Sequence, residues 1–214
     1  MIDSIIFDLD GTLWDSTDQV ADSWNRTVEK ETGTNPKFTG DYLKNFFGLL
    51  MADIGRGIFP DLSNEESLAL IHKCIAEHND YLLKHPGILY PDLENTLKVL
   101  AKDYKLFIVS NCEVGYIETF LKVHHLGSYF SDHLCPGDTG EAKAENITTI
   151  KNKHQLNSPV YVGDTKGDYN ACLKSKTPFI FASYGFGEVE HYLGKLNSFA
   201  DLPTVLANLA KSHI

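Results

Sequence analysis

The sequence lacks the features that mark several common protein classes. Among its 214 residues there is no apolar run of about eighteen residues, which is the length that a membrane-spanning helix needs. It also has no G-x-x-x-x-G-K-[ST] sequence, which excludes a P-loop nucleotide site. Positive charge is scarce, and the net charge of −10 argues against binding to nucleic acid or to an anionic membrane surface.

Cysteine is scarce as well. The four cysteines, Cys74, Cys112, Cys135 and Cys172, are widely scattered and form no C-x-x-C pair. This spacing fits neither a zinc site nor a disulfide framework, so we expect buried free thiols. No basic segment followed by an apolar stretch opens the chain, and we therefore expect a reduced, cytoplasmic location.

Short apolar runs alternate with amphipathic segments along most of the chain. Apolar runs at residues 5–7, 106–109, 160–162 and 179–182 are typical of buried strands, and segments with helical periodicity separate them. This alternation predicts an α/β fold, with a Rossmann-like three-layer α/β/α core around a parallel sheet.

One long stretch contains no strand pattern. Residues 17–85 carry helical periodicity, including a capping box formed by Ser63 and Glu66 at a helix start. We therefore expect a small helical cap domain at residues 17–85, inserted after the first strand, and a core formed by residues 1–16 and 86–214.

Polar side chains follow three of the predicted strands. Because parallel strands end at the same edge of a sheet, these side chains are expected to converge there. Four carboxylates at one edge require a cation, and an all-oxygen ligand set favours Mg²⁺. A hydroxyl and an amide beside them are suited to phosphate oxygens. The residues concerned are Asp8, Asp10, Ser110, Asn111, Asp164 and Asp168.

The pair Asp8 and Asp10 also allows simpler interpretations. Aspartates beside a glycine are common in ordinary turns. The same D-x-D-G sequence occurs in EF-hand calcium loops, but that alignment places Ile6 and Thr17 at positions that require carboxylates. The EF-hand interpretation is therefore excluded, and the turn interpretation stays open on these residues alone.

Three sequence motifs closely resemble those of the haloacid dehalogenase-like hydrolase superfamily. Residues 8–16 read DLDGTLWDS and resemble its first motif, residues 109–111 (VSN) its second, and residues 163–168 (GDTKGD) its fourth. Their order and spacing hold across nearly the whole chain. The helical insertion resembles the small cap of the subgroup that includes phosphoglycolate phosphatase and beta-phosphoglucomutase.

The resemblance implies a role for each of these residues. Asp8 would be the nucleophile that becomes an aspartyl phosphate, and Asp10 would protonate the leaving group and then activate water. Asp8, the Asp10 carbonyl and Asp164 would bind Mg²⁺, with Asp168 nearby or acting through water. The phosphoryl group would be held by Ser110, Asn111 and a lysine.

The third motif, a lysine at the start of the helix before the fourth motif, is less clear. Lys143 occupies that position and is the preferred choice, as both a catalytic and a phosphate-binding residue. Lys151 and Lys153 are rivals on the same predicted helix. Lys166 lies at a variable position of the fourth motif, and we expect it to be solvated.

The resemblance thus predicts a Mg²⁺-dependent phosphatase that hydrolyses a small phosphorylated metabolite through an aspartyl phosphate, similar to phosphoglycolate phosphatase. The alternatives are a phosphomutase of the beta-phosphoglucomutase kind and a catalytically silent regulatory protein. Members that cleave carbon–halogen bonds lack the second aspartate, so Asp10 argues against dehalogenation. We expect a monomer or a homodimer with no nucleic-acid or membrane partner.

The residues that select the substrate are not evident from the sequence. Trp14, Lys44, Asn45 and Arg56 are candidates in or beside the predicted cap. His72, Cys74 and His78 lie close together on one predicted helix. His72 and Cys74 are only two positions apart and face different sides of that helix, which makes zinc binding there a weak hypothesis.

Overall fold

The computed structural model describes residues 2–211, and its elements are numbered here in chain order. The strands are β1 (Ser4–Phe7), β2 (Trp14–Asp15), β3 (Ile88–Leu89), β4 (Lys105–Val109), β5 (Asp132–Leu134), β6 (Pro159–Gly163), β7 (Phe179–Ala182) and β8 (Gly194–Leu196). The helices are α1 (Thr17–Thr32), α2 (Gly40–Leu43), α3 (Met51–Ile58), α4 (Asn64–Leu82), α5 (Leu93–Leu100), α6 (Tyr116–Val123), α7 (Pro136–Thr139), α8 (Lys143–Lys153), α9 (Lys166–Ser175) and α10 (Leu202–Lys211).

Six of the strands form one parallel sheet in the order β5-β4-β1-β6-β7-β8. The apolar, branched side chains of β1 suit a fully buried strand, and β1 lies in the middle, between β4 and β6. The strand order reverses at β1, and in open α/β sheets ligands bind beyond the carboxyl ends of the strands at such a point. The predicted Rossmann-like α/β core is confirmed.

Both faces of the sheet are covered by helices. Ile5 and Phe7 of β1 pack on the side of α5, α6 and α10, whereas Ile6 packs on the side of α8 and α9. This alternation follows from the two-residue period of a strand. Burying one such aromatic or branched side chain contributes roughly 1.5 to 3 kcal/mol. The two apolar layers therefore hold the sheet, and with it the carboxyl ends of β1, β4 and β6, in a fixed position.

Helices α1 to α4 lie between β2 and β3, within the stretch predicted to be helical. The capping box that starts α4 is formed: Ser63 Oγ accepts from the Glu66 amide at 3.3 Å, and Glu66 Oε2 accepts from the Ser63 amide at 3.0 Å. We refer to residues 17–85 as the helical insertion; its assignment as a separate domain stays a prediction.

A short antiparallel pair joins the two ends of the helical insertion. Trp14 pairs with Leu89 and Asp15 with Ile88, so β2 and β3 fix the points where the chain leaves and re-enters the core. Neither strand was predicted, because two-residue strands are too short to show a period. The strand β8 was also missed, since Gly194-Lys195-Leu196 has only one buried apolar side chain.

The four cysteines are buried free thiols, as predicted. Between residues 2 and 211, no helix has the length and apolar character needed to cross a membrane.

Candidate active site

The candidate site begins where β1 ends. The Asp8 amide donates to the Val162 carbonyl at 2.8 Å, so Asp8 still follows the sheet ladder beside β6. The chain then turns at Gly11, which has a φ of +77°, and a Cβ atom there would lie 2.2 Å from Asp164 Oδ2. Gly11 therefore allows both the turn and the close approach of the β6 carboxylate.

Three buried carboxylates meet at this edge. Oxygen atoms of Asp8, Asp164 and Asp168 all lie within 4.8 Å of one another, the one such acidic group found in the described part of the chain. We call these three residues the acidic cluster. Burial and the charge of Asp168 raise the pKa of Asp8 to about 6, and the same two causes raise the pKa of Asp164. A set of carboxylate oxygens that repel one another fits a hard divalent cation such as Mg²⁺.

Lys143 supplies a fixed positive charge to the acidic cluster. It is the first residue of α8, and its Nζ lies 2.9 Å from Asp8 Oδ1 and 2.5 Å from Asp168 Oδ1. Burial alone would lower the pKa of this ammonium group, but Asp168 and Asp8 outweigh that effect and raise it. Lys143 is therefore charged at neutral pH and bridges two of the three carboxylates.

The rival lysines lie elsewhere. Lys151 Nζ donates to the Ser175 carbonyl at 2.7 Å, and Lys153 pairs with Asp132 at 2.7 Å. Lys166, on the first turn of α9, is exposed, as expected. Of these four lysines only Lys143 reaches the acidic cluster, which supports the choice made from its position at the helix start.

Asp168 organises the loop that carries Asp164. Its Oδ2 accepts from the Thr165 amide at 2.9 Å and from Thr165 Oγ1 at 2.7 Å, which forms a capping box at the start of α9. Its Oδ1 contacts Lys143. Both oxygens thus have protein partners, so this carboxylate holds Thr165 and Lys143 in place. The role of Asp168 toward a metal, direct or through water, stays a prediction.

Asp10 has a different environment. Its Oδ1 accepts hydrogen bonds from the Tyr116 hydroxyl at 2.9 Å and from Ser16 Oγ at 3.0 Å, and these two hydroxyls lie 2.6 Å apart. Burial raises the pKa of Asp10 to about 7, although the bond from Tyr116 opposes it. A carboxyl group with that pKa exchanges a proton at neutral pH, which suits a general acid and base.

Sequence reasoning missed Tyr116 and Ser16. Ser16 lies within the first motif and Tyr116 begins α6, 106 positions after Asp10. Hydroxyl residues are common on helices and in turns, so no local signal singles them out. Only the packing of α6 against the turn after β1 brings Tyr116 to Asp10.

Ser110 and Asn111 lie at the end of β4, as predicted. Ser110 is buried, and a hydrogen bond from its side chain lowers the pKa of Asp8. Asn111 Nδ2 donates to the Gly48 carbonyl of the helical insertion at 2.8 Å. Ser110 thus meets the acidic cluster directly, whereas Asn111 connects the sheet edge to the helical insertion.

A loop after β7 completes the surroundings of Asp164. The Phe186 amide donates to Asp164 Oδ2 at 2.7 Å, and Thr12 Oγ1 donates to its Oδ1 at 3.3 Å. Tyr184 OH donates to the Thr12 carbonyl at 2.9 Å, which ties this loop to the turn after β1. These bonds orient the Asp164 carboxylate.

The four candidate substrate-selecting residues all contact other residues of the chain. Trp14 is fully buried against α6, and Asn45 bonds to nearby backbone carbonyls. Lys44 pairs with Asp41 at 3.0 Å and with Asp15 at 3.5 Å, and its Nζ lies 5.8 Å from the centroid of the Phe186 ring. Exposed Arg56 pairs with Asp53. Lys44 therefore lies beside the loop that contacts Asp164 and stays a candidate, and Trp14 lies close enough to Asp10 to lower its pKa.

Comparison with known proteins agrees with the motifs. The family model described as haloacid dehalogenase-like hydrolase matches residues 5–182. Phosphoglycolate phosphatase of Aquifex aeolicus is 29% identical over 216 residues, which cover 98% of this chain and 97% of that protein. Phosphoglycolate phosphatase of Vibrio vulnificus is 30% identical over 203 residues, covering 87% of this chain and 86% of that protein. The predictions of the superfamily and of a phosphatase-like hydrolase within it are confirmed.

The fold has solved counterparts. A haloacid dehalogenase-like family hydrolase from Streptococcus pneumoniae superposes with a TM-score of 0.82, covers 96% of this chain and 98% of its own, and is 22% identical. At that identity the likeness concerns the fold alone.

Proposed function

Because the chain belongs to the haloacid dehalogenase-like hydrolase family, we propose that it is a Mg²⁺-dependent phosphatase acting on a small phosphorylated metabolite of the phosphoglycolate type. One observation carries the proposal. Two aspartates two positions apart lie in different surroundings: Asp8 contacts a buried lysine, and Asp10 contacts two hydroxyls. This difference in surroundings suits Asp8 to act as the nucleophile and Asp10 to carry the proton.

Asp8 is suited to attack phosphorus. Lys143 and Ser110 lower the pKa of its carboxyl, against the effects of burial and of Asp168, and favour its ionised form. In the first step an Asp8 oxygen forms a bond to phosphorus, and the bond from phosphorus to the ester oxygen breaks. The product on the protein is an aspartyl phosphate.

Asp10 is suited to move the proton in both steps. Protonated Asp10 gives its proton to the departing ester oxygen, so that oxygen leaves as an uncharged hydroxyl group. The resulting carboxylate then takes a proton from a water molecule that attacks the phosphorus of the aspartyl phosphate. The bond to Asp8 breaks, and phosphate and free Asp8 are regenerated. Tyr116 and Ser16 hold Asp10 in position through both steps.

The transferred phosphoryl group carries negative charge into a cluster of carboxylates. Lys143 and Ser110, both beside Asp8, would contact its oxygens and offset that charge. Mg²⁺ would be held by Asp8, the Asp10 carbonyl and Asp164, with Asp168 behind them, and when bound it neutralises charge on the phosphoryl oxygens.

The direct test is release of inorganic phosphate from 2-phosphoglycolate with Mg²⁺, compared with the same reaction in excess EDTA and with the variant Asp8→Asn. We expect release only by wild-type protein with Mg²⁺. Isomerisation of beta-glucose 1-phosphate without phosphate release would favour the phosphomutase instead. Failure to hydrolyse any compound, an activated aryl phosphate included, would favour the silent regulatory protein.

The cytoplasmic location and a monomeric or homodimeric state are proposed with this function; gel filtration of the purified protein tests the second.

A further inference from the structure

A small cavity lies between the helical insertion and the sheet edge, beside Asp10. Asp10 and Tyr116 line it from the core, and Trp24, Met51, Ile54 and His78 line it from the helical insertion. Its volume is about 20 Å³, which is room for roughly one water molecule. We call it the interface cavity. Because Asp10 is the proposed proton donor to the leaving group, the end of a leaving group beyond the ester oxygen would extend toward this cavity, which has room for one oxygen-sized group.

His78 is the buried polar side chain that the helical insertion brings to the interface cavity. Its side chain is 5% exposed. The indole Nε1–H of Trp24 donates to His78 Nδ1 at 3.3 Å. Since an indole nitrogen only donates, Nδ1 must be the unprotonated nitrogen, and the neutral ring therefore carries its hydrogen on Nε2. His78 Nε2 is buried and has no hydrogen-bond partner among the described residues.

Contacts with the core fix His78 near Asp10. The His78 ring centroid lies 5.1 Å from that of Tyr116, whose hydroxyl donates to Asp10 Oδ1. The next residue, Asn79, donates from Nδ2 to the Val114 carbonyl at 3.2 Å, just before α6. This bond joins α4 to the core directly beside His78.

The surroundings keep His78 neutral. Burial lowers its pKa to about 4. Among the described residues no lysine or arginine lines the interface cavity, and the charged residues that do are the carboxylates Asp10 and Glu113. A neutral N–H donor without a partner is costly when buried, and an oxygen acceptor on a bound molecule would satisfy it.

We propose that His78 is a specificity-determining residue whose Nε2–H donates a hydrogen bond to an oxygen acceptor on the leaving group of the substrate. The inference rests on the proposed phosphatase function and narrows its substrate class. The substrate is a phosphate monoester of a small alcohol that carries a further oxygen a short distance from the ester oxygen. That oxygen belongs to a carboxylate or to a second hydroxyl.

The test uses three matched substrates that differ in this oxygen. Ethyl phosphate has no acceptor, 2-hydroxyethyl phosphate has a hydroxyl, and 2-phosphoglycolate has a carboxylate. Phosphate release is measured for wild-type protein, His78→Phe and His78→Gln, with His72→Phe as control because His72 is an exposed histidine on the same helix.

In His78→Phe, we expect kcat/KM for the preferred acceptor-bearing substrate to fall about 10-fold, and that for ethyl phosphate to change less than about 2-fold. His78→Gln, which keeps a donor at similar reach, should recover most of the loss, and His72→Phe should match wild type. The acceptor, carboxylate or hydroxyl, is identified by the substrate whose kcat/KM falls more in His78→Phe.

Equal effects of His78→Phe on all three substrates, or no effect on any, would overturn the inference while leaving the phosphatase function intact. If wild-type protein releases phosphate from none of them, nor from an aryl phosphate, the proposed function fails and the inference falls with it.

A second measurement applies if His78→Phe does not fold. In ¹⁵N NMR of Asp8→Asn protein, the His78 Nε2–H signal should shift with 2-phosphoglycolate or 2-hydroxyethyl phosphate and not with ethyl phosphate. No shift with either would contradict the inference.

Discussion

The acidic cluster and the interface cavity are neighbours, but their polar groups are arranged in opposite ways. In the acidic cluster each carboxylate has partners: Lys143 holds Asp8 and Asp168, and backbone amides hold Asp164 and Asp168. In the interface cavity Tyr116 donates to Asp10, but His78 Nε2 and Asn111 Oδ1 are buried without a partner among the described residues. The reaction chemistry is thus organised in advance by the core, whereas recognition of the leaving group depends on what the substrate supplies.

Their charges differ in the same way. The acidic cluster combines three carboxylates with one buried ammonium group, so its function depends on charge compensation. His78 is held neutral by burial, and its function depends on a single hydrogen. Removing a group of the acidic cluster should therefore lower activity on every substrate. Removing the His78 side chain should lower activity only on substrates that carry an acceptor for its hydrogen.

The strongest test of this contrast is removal of the buried ammonium group. Lys143→Ala should lower kcat/KM by a factor of about 10² to 10³, equivalent to roughly 3 to 4 kcal/mol of transition-state stabilisation, because the transferred phosphoryl group loses its fixed cation. The loss should be similar for ethyl phosphate and 2-phosphoglycolate. Steady-state phosphate release measures it.

Lys151→Ala is the matched control, because Lys151 lies on the same helix, α8, but its side chain donates to the Ser175 carbonyl. It should keep wild-type activity. A loss seen in Lys151→Ala or Lys153→Ala and absent in Lys143→Ala would show that the wrong lysine was chosen.

Acid should destabilise the fold through His78. Its pKa is about 4 in the folded chain and 6.5 ordinarily, so between these values the unfolded chain binds a proton that the folded chain does not. The free energy of unfolding therefore falls as the pH drops through this window, by up to about 3 kcal/mol from this residue. Urea unfolding at a series of pH values measures the slope.

Other groups titrate in the same range with the opposite sign. Asp8 and Asp10 have raised pKa values in the folded chain, so they bind protons there more readily than in the unfolded chain and add stability as the pH falls. The difference between wild type and His78→Phe isolates the histidine. The variant should lose less stability than wild type between pH 6.5 and 4; parallel curves for the two proteins would contradict the burial of a neutral His78.

Substitutions at two glycines distinguish the cost of backbone strain in a turn from the cost of a steric clash with Asp164. Gly11 and Gly33 both have positive φ, but a Cβ atom at Gly11 meets Asp164, whereas one at Gly33 meets nothing within 4 Å. Gly33→Ala should cost about 1 kcal/mol of stability from backbone strain, and Gly11→Ala about 2 kcal/mol or more. Gly11→Ala should also lower activity, because Asp164 must move. Equal costs, measured by thermal unfolding, would argue against the close packing of this turn.

Much of the core could be predicted from sequence because its signals are local. The apolar runs of β1, β4, β6 and β7 and the polar residues that follow them show where the strands are and where they end. Convergence of Asp8, Asp164 and Ser110 then follows from the rule that parallel strands share one edge. Lys143 is chosen because the family resemblance implies a lysine at the start of the helix before the fourth motif.

The interface cavity could not be predicted in this way. In the sequence His78 looks like any other residue on a helix of mixed polarity. Its proposed role depends on Trp24, 54 positions earlier, which donates to His78 Nδ1 and so leaves the hydrogen on Nε2. Tyr116 likewise becomes significant only through its contact with Asp10. Such relations arise from packing between distant segments and leave no periodic pattern in the sequence.

The central claim is that Asp8 carries the phosphoryl group during turnover. Wild-type protein mixed with 2-phosphoglycolate and Mg²⁺, quenched in acid within milliseconds and digested, should yield a peptide around Asp8 that is heavier by one phosphoryl group, and Asp8→Asn should yield none. Phosphate release without any phosphorylated peptide, or with the phosphoryl group on another residue, would contradict the account.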